Sequence, residues 1–264
     1  MKTPTIVLTI AGSDSSGGAG IQADIKAISA LGSFAASAIT SITAQNTLGV
    51  QGIHPIPAGM VRQQIEAVMD DLHPDALKIG MVCDKDIAHI IAESLRKYRP
   101  QWVVYDPVMV ATSGHKLMTD DTIECICQEL IPQATLITPN LYEAQILLRE
   151  KITCLHEMEK GADVLGKTYG CSVLIKGGHL EGGEMCDILY DAKEEQIFRY
   201  PAPKIESHNL HGTGCTLSSA IATKLSQGHS MKEAIALAKS YVTKAIDAAK
   251  DMQIGHGHGP LWHF

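Results

Sequence analysis

The chain reads as an α/β protein with a mainly parallel central sheet and helices on both faces. Three observations carry that reading. Short β-branched runs alternate with longer stretches of helical periodicity along the whole length, the pattern of parallel strands joined by crossover helices. Hydrophobic residues make up 45% of the chain but aromatics only 5%, so small aliphatic side chains dominate, which suits close packing of helices on a sheet. No composition break, Ser/Pro-rich linker or internal repeat interrupts the 264 residues, so a single domain over 1–264 is expected.

In order, Thr5–Ala11 reads as a buried strand, followed by a Gly-rich loop over Gly12–Gly20. Ile21, Ile25, Ile28 and Leu31 then form a helical stripe. Ala36–Ala44 reads as a second strand ending at Gln45-Asn46-Thr47, and Met60–Leu72 as a helix closed by His73-Pro74. Ala76–Ile79, Trp102–Tyr105, Thr135–Thr138 and Val173–Ile175 are further short strands with helical patterns between them. Ile188–Tyr190 and Gln196–Tyr200 flank a turn near Asp191–Glu195 and read as a hairpin. Leu217–Leu225 and Ala234–Ala249 are the last two helices, the second opened by the capping box Ser230-x-x-Glu233.

A net charge of −7 and a pI near 5.9, with no Lys/Arg cluster, argue against an electrostatic nucleic-acid binder. Nothing approaches 18 consecutive apolar residues and no signal-peptide core is present, so no membrane association is expected. Seven scattered cysteines without a CxxC fit a reducing, cytoplasmic setting. An anionic ligand must then be met by local geometry rather than by the field of the whole protein.

On open parallel sheets, ligands sit at the carboxyl ends of the strands. Those ends deliver Gly12, Gln45, Gly80-Met81, Asp106-Pro107-Val108, Pro139-Asn140 with Glu143, and Lys176-Gly177-Gly178. The most informative motif is His211-Gly212-Thr213-Gly214-Cys215-Thr216, leading directly into a helical stretch. The first N–H groups of a helix lack intrahelical partners, and the dipole adds about half a positive charge there, so Gly212, Thr213 and Gly214 are candidates for an anion hole. Cys215 at its mouth is either a small core residue or a proton acceptor whose thiol the helix start would draw from roughly 8.5 towards neutrality. Asp106 before Pro107 reads as a turn residue or a metal ligand, and Asn140 with Glu143 as a helix cap or as part of a site. Lys176 either contacts phosphate or ends a strand at the surface. Gly18-Ala19-Gly20-Ile21-Gln22-Ala23 fits G-x-G-x-x-A, but the second strand ends in Gln45 rather than an acidic residue, which argues against a dinucleotide fingerprint. No G-x-x-x-x-G-K-[ST] or protein-kinase catalytic loop occurs. Ala111–Lys116 has the small residues of a lid, and the His256-Gly257-His258-Gly259-Pro260 tail with His263 reads as loosely ordered rather than metal-binding.

Taken together, Ile10–Asp14, Ser16–Asp24, Ala44–Thr47, Lys78–Met81, Asp106–Met109, Leu136–Asn140 with Glu143-Ala144, Lys176–His179, His211–Thr216 and the tail Gly255–Phe264 resemble the hydroxymethylpyrimidine/phosphomethylpyrimidine kinases of thiamine biosynthesis, within the ribokinase superfamily. The resemblance covers essentially the whole chain. It implies a ribokinase-like fold, ATP and Mg²⁺ as cofactors, a small pyrimidine substrate phosphorylated twice, and a homodimer. It also implies that Gln45 bonds the aminopyrimidine edge and that Gly12, Asp24, Met81 and Val108 shape its pocket. Asp106 and Glu143 would arrange Mg²⁺, Lys176 and Thr213 would lie by the ATP phosphates, and Cys215 would be the base beside the anion hole of Gly212, Thr213 and Gly214. A pyridoxal kinase of the same architecture and a non-catalytic pyrimidine sensor are the competing readings.

Overall fold

The computed structural model describes residues 3–109, 118–178 and 185–264. The expected lid at Ala111–Lys116 and the motif residue His179 lie outside the described residues. Among the described residues, nine strands form one sheet in the order β3-β2-β1-β4-β5-β6-β7-β8-β9. These are β1 (Ile6–Asp14), β2 (Phe34–Asn46), β3 (Gly49–Pro55), β4 (Ala76–Ile79), β5 (Val103–Tyr105), β6 (Leu136–Ile137), β7 (Ser172–Ile175), β8 (Met185–Asp191) and β9 (Gln196–Ala202). The run from β2 through β7 is parallel, whereas β3 at one edge and β8 and β9 at the other are antiparallel.

Successive strand residues point to opposite faces, and both faces are covered. Val7, Val104, Leu136 and Leu174 pack under α1 (Gly20–Ala30), α7 (Thr213–Ser226) and α8 (Met231–Ala249). Leu8, Ile10, Tyr105, Val173 and Ile175 face α2 (Ala58–Asp71), α3 (Lys85–Tyr98) and α6 (Leu155–Tyr169). The short helices α4 (Asp120–Cys125) and α5 (Leu141–Leu148) complete that second layer. The capping box expected at Ser230 and Glu233 opens α8.

Two departures from the sequence reading shape the site. β1 runs past Ala11 to Asp14, pairing with β2 across an irregularity between Ala11 and Ser13, so Asp14 sits at a strand end rather than in a loop. β3 is a strand that sequence patterning does not announce, because it carries two glycines and a proline and is mostly exposed. It exists by pairing antiparallel with the edge of β2, forming a two-stranded ribbon.

The tail, expected to be loose, is packed instead. The N–H groups of His256 and Gly257 donate to Thr47 Oγ1, and that of His258 donates to the Thr47 carbonyl at 2.9 Å. Gly259 accepts from the His211 N–H at 3.0 Å, Leu261 is buried, and Tyr241 meets the His263 ring at 3.1 Å. The glycines permit this: a Cβ on Gly257 would lie 2.1 Å from the Thr47 carbonyl oxygen.

Candidate active site

The starts of α1 and α7 converge at the carboxyl end of β1. Gly212 caps α7 with φ near 85°, and a Cβ there would lie 1.9 Å from the Gly18 carbonyl oxygen. Glycine thus serves both a left-handed backbone and a close approach between the two loops. The N–H groups of Gly214 and Cys215 find no acceptor among the described residues, leaving them available to an anion. Thr213 departs from its expected part in that hole and beside the ATP phosphates. Its N–H and its hydroxyl both donate to the Leu210 carbonyl, at 3.2 and 2.7 Å, so both are spent on closing the turn.

Below this helix start lies a buried ionic cluster. Asp106, at the end of β5, accepts at Oδ1 from Lys176 Nζ (2.7 Å) and Thr138 Oγ1 (3.1 Å). Its Oδ2 has no hydrogen-bond partner among the described residues. A Cβ on Gly214 would lie 3.3 Å from both Asp106 Oδ2 and Lys176 Nζ, so the cluster is directly beneath the free N–H groups. Lys176 is no exposed strand end: burial opposes its charge, but the neighbouring Asp106 and Glu143 outweigh burial and raise its pKa. Glu143 combines both roles read for it. It closes a capping box with Asn140 at the start of α5, and its other oxygen accepts from the Met109 N–H at 3.3 Å. Burial, with Asp106 adding to it and Lys176 opposing, lifts its carboxyl to about 7.

The donor set suits a hard cation. Two carboxylates share the space, and Asp106 Oδ2 is left with no hydrogen-bond partner among the described residues, so it is available to a cation. No group of three or more acidic, His or Cys side chains that could cage a metal occurs among the described residues. Any cation would therefore complete its shell with oxygens of water or substrate, as Mg²⁺ commonly does.

Cys215 is half-buried on the first turn of α7, and its thiol departs from expectation. Burial pushes it up to about 11 rather than towards neutrality. Lys78 and the Gly20 N–H favour the thiolate, while Asp24 and Asp106 oppose it, and the favourable groups do not overcome burial.

Asp24 is the clearest correction. It is not on a pocket wall: its carboxylate is fully buried and bonded to Lys78 Nζ (2.9 and 2.8 Å), Thr9 Oγ1 (2.5 Å) and Ser219 Oγ (2.8 Å). Its oxygens are spent on these partners and shielded from solvent. Lys78, the residue that sequence reasoning missed, was signalled by a lone charge inside the apolar run Ala76–Ile79. The other expected wall residues lie near one another. A Cβ on Gly12 would touch Met81 Cε at 2.9 Å, Met81 is half-buried, and the half-buried Val108 follows Asp106 by two positions. Gln45 is half-buried at the end of β2, its amide between Thr43 and His211.

The thiol yields a pH prediction. Because Cys215 is protonated at neutral pH, its alkylation by iodoacetamide in the ligand-free protein should be slow at pH 7 and climb steeply up to a midpoint near 11. Mass-spectrometric mapping of the modified cysteine across pH checks this; a plateau reached by pH 8 contradicts it.

With this geometry in hand, known proteins give a consistent match. The family model described as phosphomethylpyrimidine kinase matches residues 14–262. The chain is 48% identical over 260 residues to the hydroxymethylpyrimidine/phosphomethylpyrimidine kinase of Rhizobium meliloti (strain 1021), covering 98% of this chain and 97% of that protein. Among solved structures, phosphomethylpyrimidine kinase from Clostridium difficile 630 superposes with a TM-score of 0.82 at 43% identity, covering 92% of this chain and 99% of the other. An ADP complex of Bacillus subtilis pyridoxal kinase superposes with a TM-score of 0.90 at 34% identity, covering 99% and 98%. Backbone shape thus sits nearer the pyridoxal kinase and sequence nearer the pyrimidine kinases; the shape is common to both activities, so sequence is the better guide to which applies. The chain belongs to the phosphomethylpyrimidine kinase family and has its ribokinase-like fold.

Proposed function

We infer that the protein is a hydroxymethylpyrimidine/phosphomethylpyrimidine kinase of thiamine biosynthesis, a phosphotransferase that uses ATP. The observation that carries the reading is the stacking of the free N–H groups of Gly214 and Cys215 directly over the Asp106–Lys176 pair. Phosphoryl transfer is largely positioning and charge neutralisation, with a loose transition state, and this arrangement supplies both in a half-buried setting. The hydroxymethyl oxygen of 4-amino-5-hydroxymethyl-2-methylpyrimidine forms a bond to the γ-phosphorus, the bond to ADP breaks, and the hydroxyl proton leaves. The monophosphate then accepts a second phosphoryl group. The uninterrupted sheet supports treating 1–264 as one kinase domain.

In this reading the N–H groups of Gly212, Gly214 and Cys215 face the transferring phosphoryl, and Lys176 Nζ lies by the ATP phosphates. Asp106, through its free Oδ2, and Glu143 would hold Mg²⁺, which when bound neutralises phosphate charge. Gln45 meets the aminopyrimidine edge, and Gly12, Met81 and Val108 line its ring. Cys215 takes the hydroxyl proton late. Since the free thiol is protonated, this requires it to ionise first, and Lys78 and the Gly20 N–H are the groups that favour the thiolate. Exposed Ile42, Leu48, Val50 and Ile53 on the β2–β3 ribbon support a homodimer through that edge, which sedimentation should detect as twice the chain mass; a monomer at micromolar concentration contradicts it. Seven free cysteines support a reducing, cytoplasmic setting.

A substrate screen tests the function. With ATP and Mg²⁺ the protein should convert the pyrimidine to its monophosphate and then its diphosphate, with a higher kcat/KM than for pyridoxal. Gln45→Leu should lose most of that preference, about 10- to 100-fold. Cys215→Ala should fold and bind pyrimidine while turning over roughly 10²-fold or more slowly. Equal or better turnover of pyridoxal would make the protein a vitamin B6 kinase, and phosphorylation of neither would leave the sensor reading.

A further inference from the structure

His211 belongs to the helix-entry motif, yet its ring does not point at the anion hole. Its Nε2 lies 2.8 Å from Asp14 Oδ2 and 3.2 Å from the side-chain amide of Gln45. The ring is seated closely: a Cβ on Gly18 would come within 2.4 Å of its Cδ2, and Pro260 of the tail packs at the same place. The His211 N–H donates to the Gly259 carbonyl at 3.0 Å. The tail and the Gly-rich loop therefore hold this imidazole in one position.

Asp14 decides the proton on Nε2. Its Oδ1 accepts from the N–H (2.8 Å) and hydroxyl (2.7 Å) of Ser16, and its Oδ2 from the N–H groups of Ala19 (2.8 Å) and Gly18 (3.2 Å). Burial would raise its pKa, but His211, Ser16 and the backbone donors outweigh burial and hold it well below the usual carboxylate range. An ionised carboxylate only accepts, so Nε2 of His211 must carry a hydrogen, whatever the state of Nδ1. One orientation of the Gln45 amide puts its nitrogen against Nε2 and its oxygen 3.1 Å from Thr43 Oγ1. Two donors would then oppose each other at 3.2 Å. Turning the amide over removes the conflict: its oxygen becomes a second, longer acceptor for the Nε2–H that Asp14 Oδ2 holds at 2.8 Å, its NH₂ donates to Thr43 Oγ1, and Thr43 donates to the Ser13 carbonyl at 3.0 Å. Each of these contacts then pairs a donor with an acceptor, which is how amide orientation is assigned.

We propose that His211, fixed by Asp14 and the C-terminal tail, is a specificity-positioning residue that locks the Gln45 amide in a single orientation, oxygen towards His211 and NH₂ towards Thr43. The inference rests on Gln45 being the residue that meets the pyrimidine edge. A free glutamine amide turns over readily and can read a donor–acceptor pair in either order; a locked one reads one order. An aminopyrimidine edge offers an amino donor beside a ring-nitrogen acceptor. The 4-oxo analogue, 5-hydroxymethyl-2-methylpyrimidin-4-one, offers a carbonyl acceptor beside a ring N–H donor, the reverse order.

The test compares the two pyrimidines with ATP in the wild type and in His211→Leu, which has no donor at this position. The wild type should favour the aminopyrimidine about 10- to 100-fold in kcat/KM. His211→Leu should lose most of that preference through the KM for pyrimidine, with the KM for ATP unchanged. Long-range ¹H–¹⁵N NMR of the ligand-free wild type should show Nε2 of His211 protonated, a readout that needs neither substrate nor a folded variant. Retention of the preference in His211→Leu, or an unprotonated Nε2, overturns the lock while leaving the kinase assignment standing. Failure of the wild type to phosphorylate either pyrimidine overturns the kinase assignment and the lock with it.

Discussion

The buried pair of Lys78 and Asp24 is the constraint on which the rest of the site depends. Both side chains are fully shielded from solvent, and the carboxylate also accepts from Thr9 and Ser219. Those four residues belong to β4, α1, β1 and α7, so one group of charges ties together the central strands and the two helices whose N-termini form the site. A buried charge is costly unless paired and hydrogen-bonded, and here the carboxylate meets both the ammonium and two hydroxyls. The pair lies below Gly80, where a Cβ would sit 2.8 Å from Lys78 Nζ. Its cost is compensated only in one relative placement of the four elements, which is the placement that brings Gly20 and Cys215 together.

Above that pair, the site concentrates opposite charges without cancelling them. Asp106 and Lys176 neutralise each other, but Glu143 adds a second carboxylate whose pKa is pushed to about 7 by burial and by Asp106. The free N–H groups of α7 and the ammonium of Lys176 favour an anion, and the carboxylates favour a cation. A phosphate chain with a divalent cation satisfies both demands at once. The same logic explains why a protein of net charge −7 can accommodate a highly anionic substrate: the attraction is built from a few fixed donors rather than from the overall field.

Much of the fold was legible in the sequence because its signals are local. β4 begins and ends at Ala76 and Ile79 as the short apolar run predicts, and Ser230 and Glu233 cap α8. β3 was not legible, since Gly49–Pro55 has no strand pattern of its own and is ordered by its neighbour β2. The site was legible as a set of strand-end residues, because the topology of a parallel sheet gathers them at one edge. What the sequence could not convey was which of those residues face inward. Asp24 looked like a pocket residue and is spent on Lys78. The donors of Thr213 looked free and close a turn on Leu210. The helix start above Cys215 suggested an acidic thiol, but burial depends on three-dimensional packing and reverses the direction. The tail looked loose because its glycines and histidines carry no apolar pattern, yet those glycines allow its backbone to lie against Thr47.

The central claim is that the Lys78–Asp24 pair holds the elements of the site in register. Equilibrium urea unfolding of Lys78→Met beside the double variant Lys78→Met/Asp24→Leu tests it most directly. Removing the ammonium alone strands a buried carboxylate and should lower stability by about 3–5 kcal/mol, whereas removing both charges should recover most of that loss. A single variant as stable as the wild type, or a double variant as unstable as the single, would contradict the account.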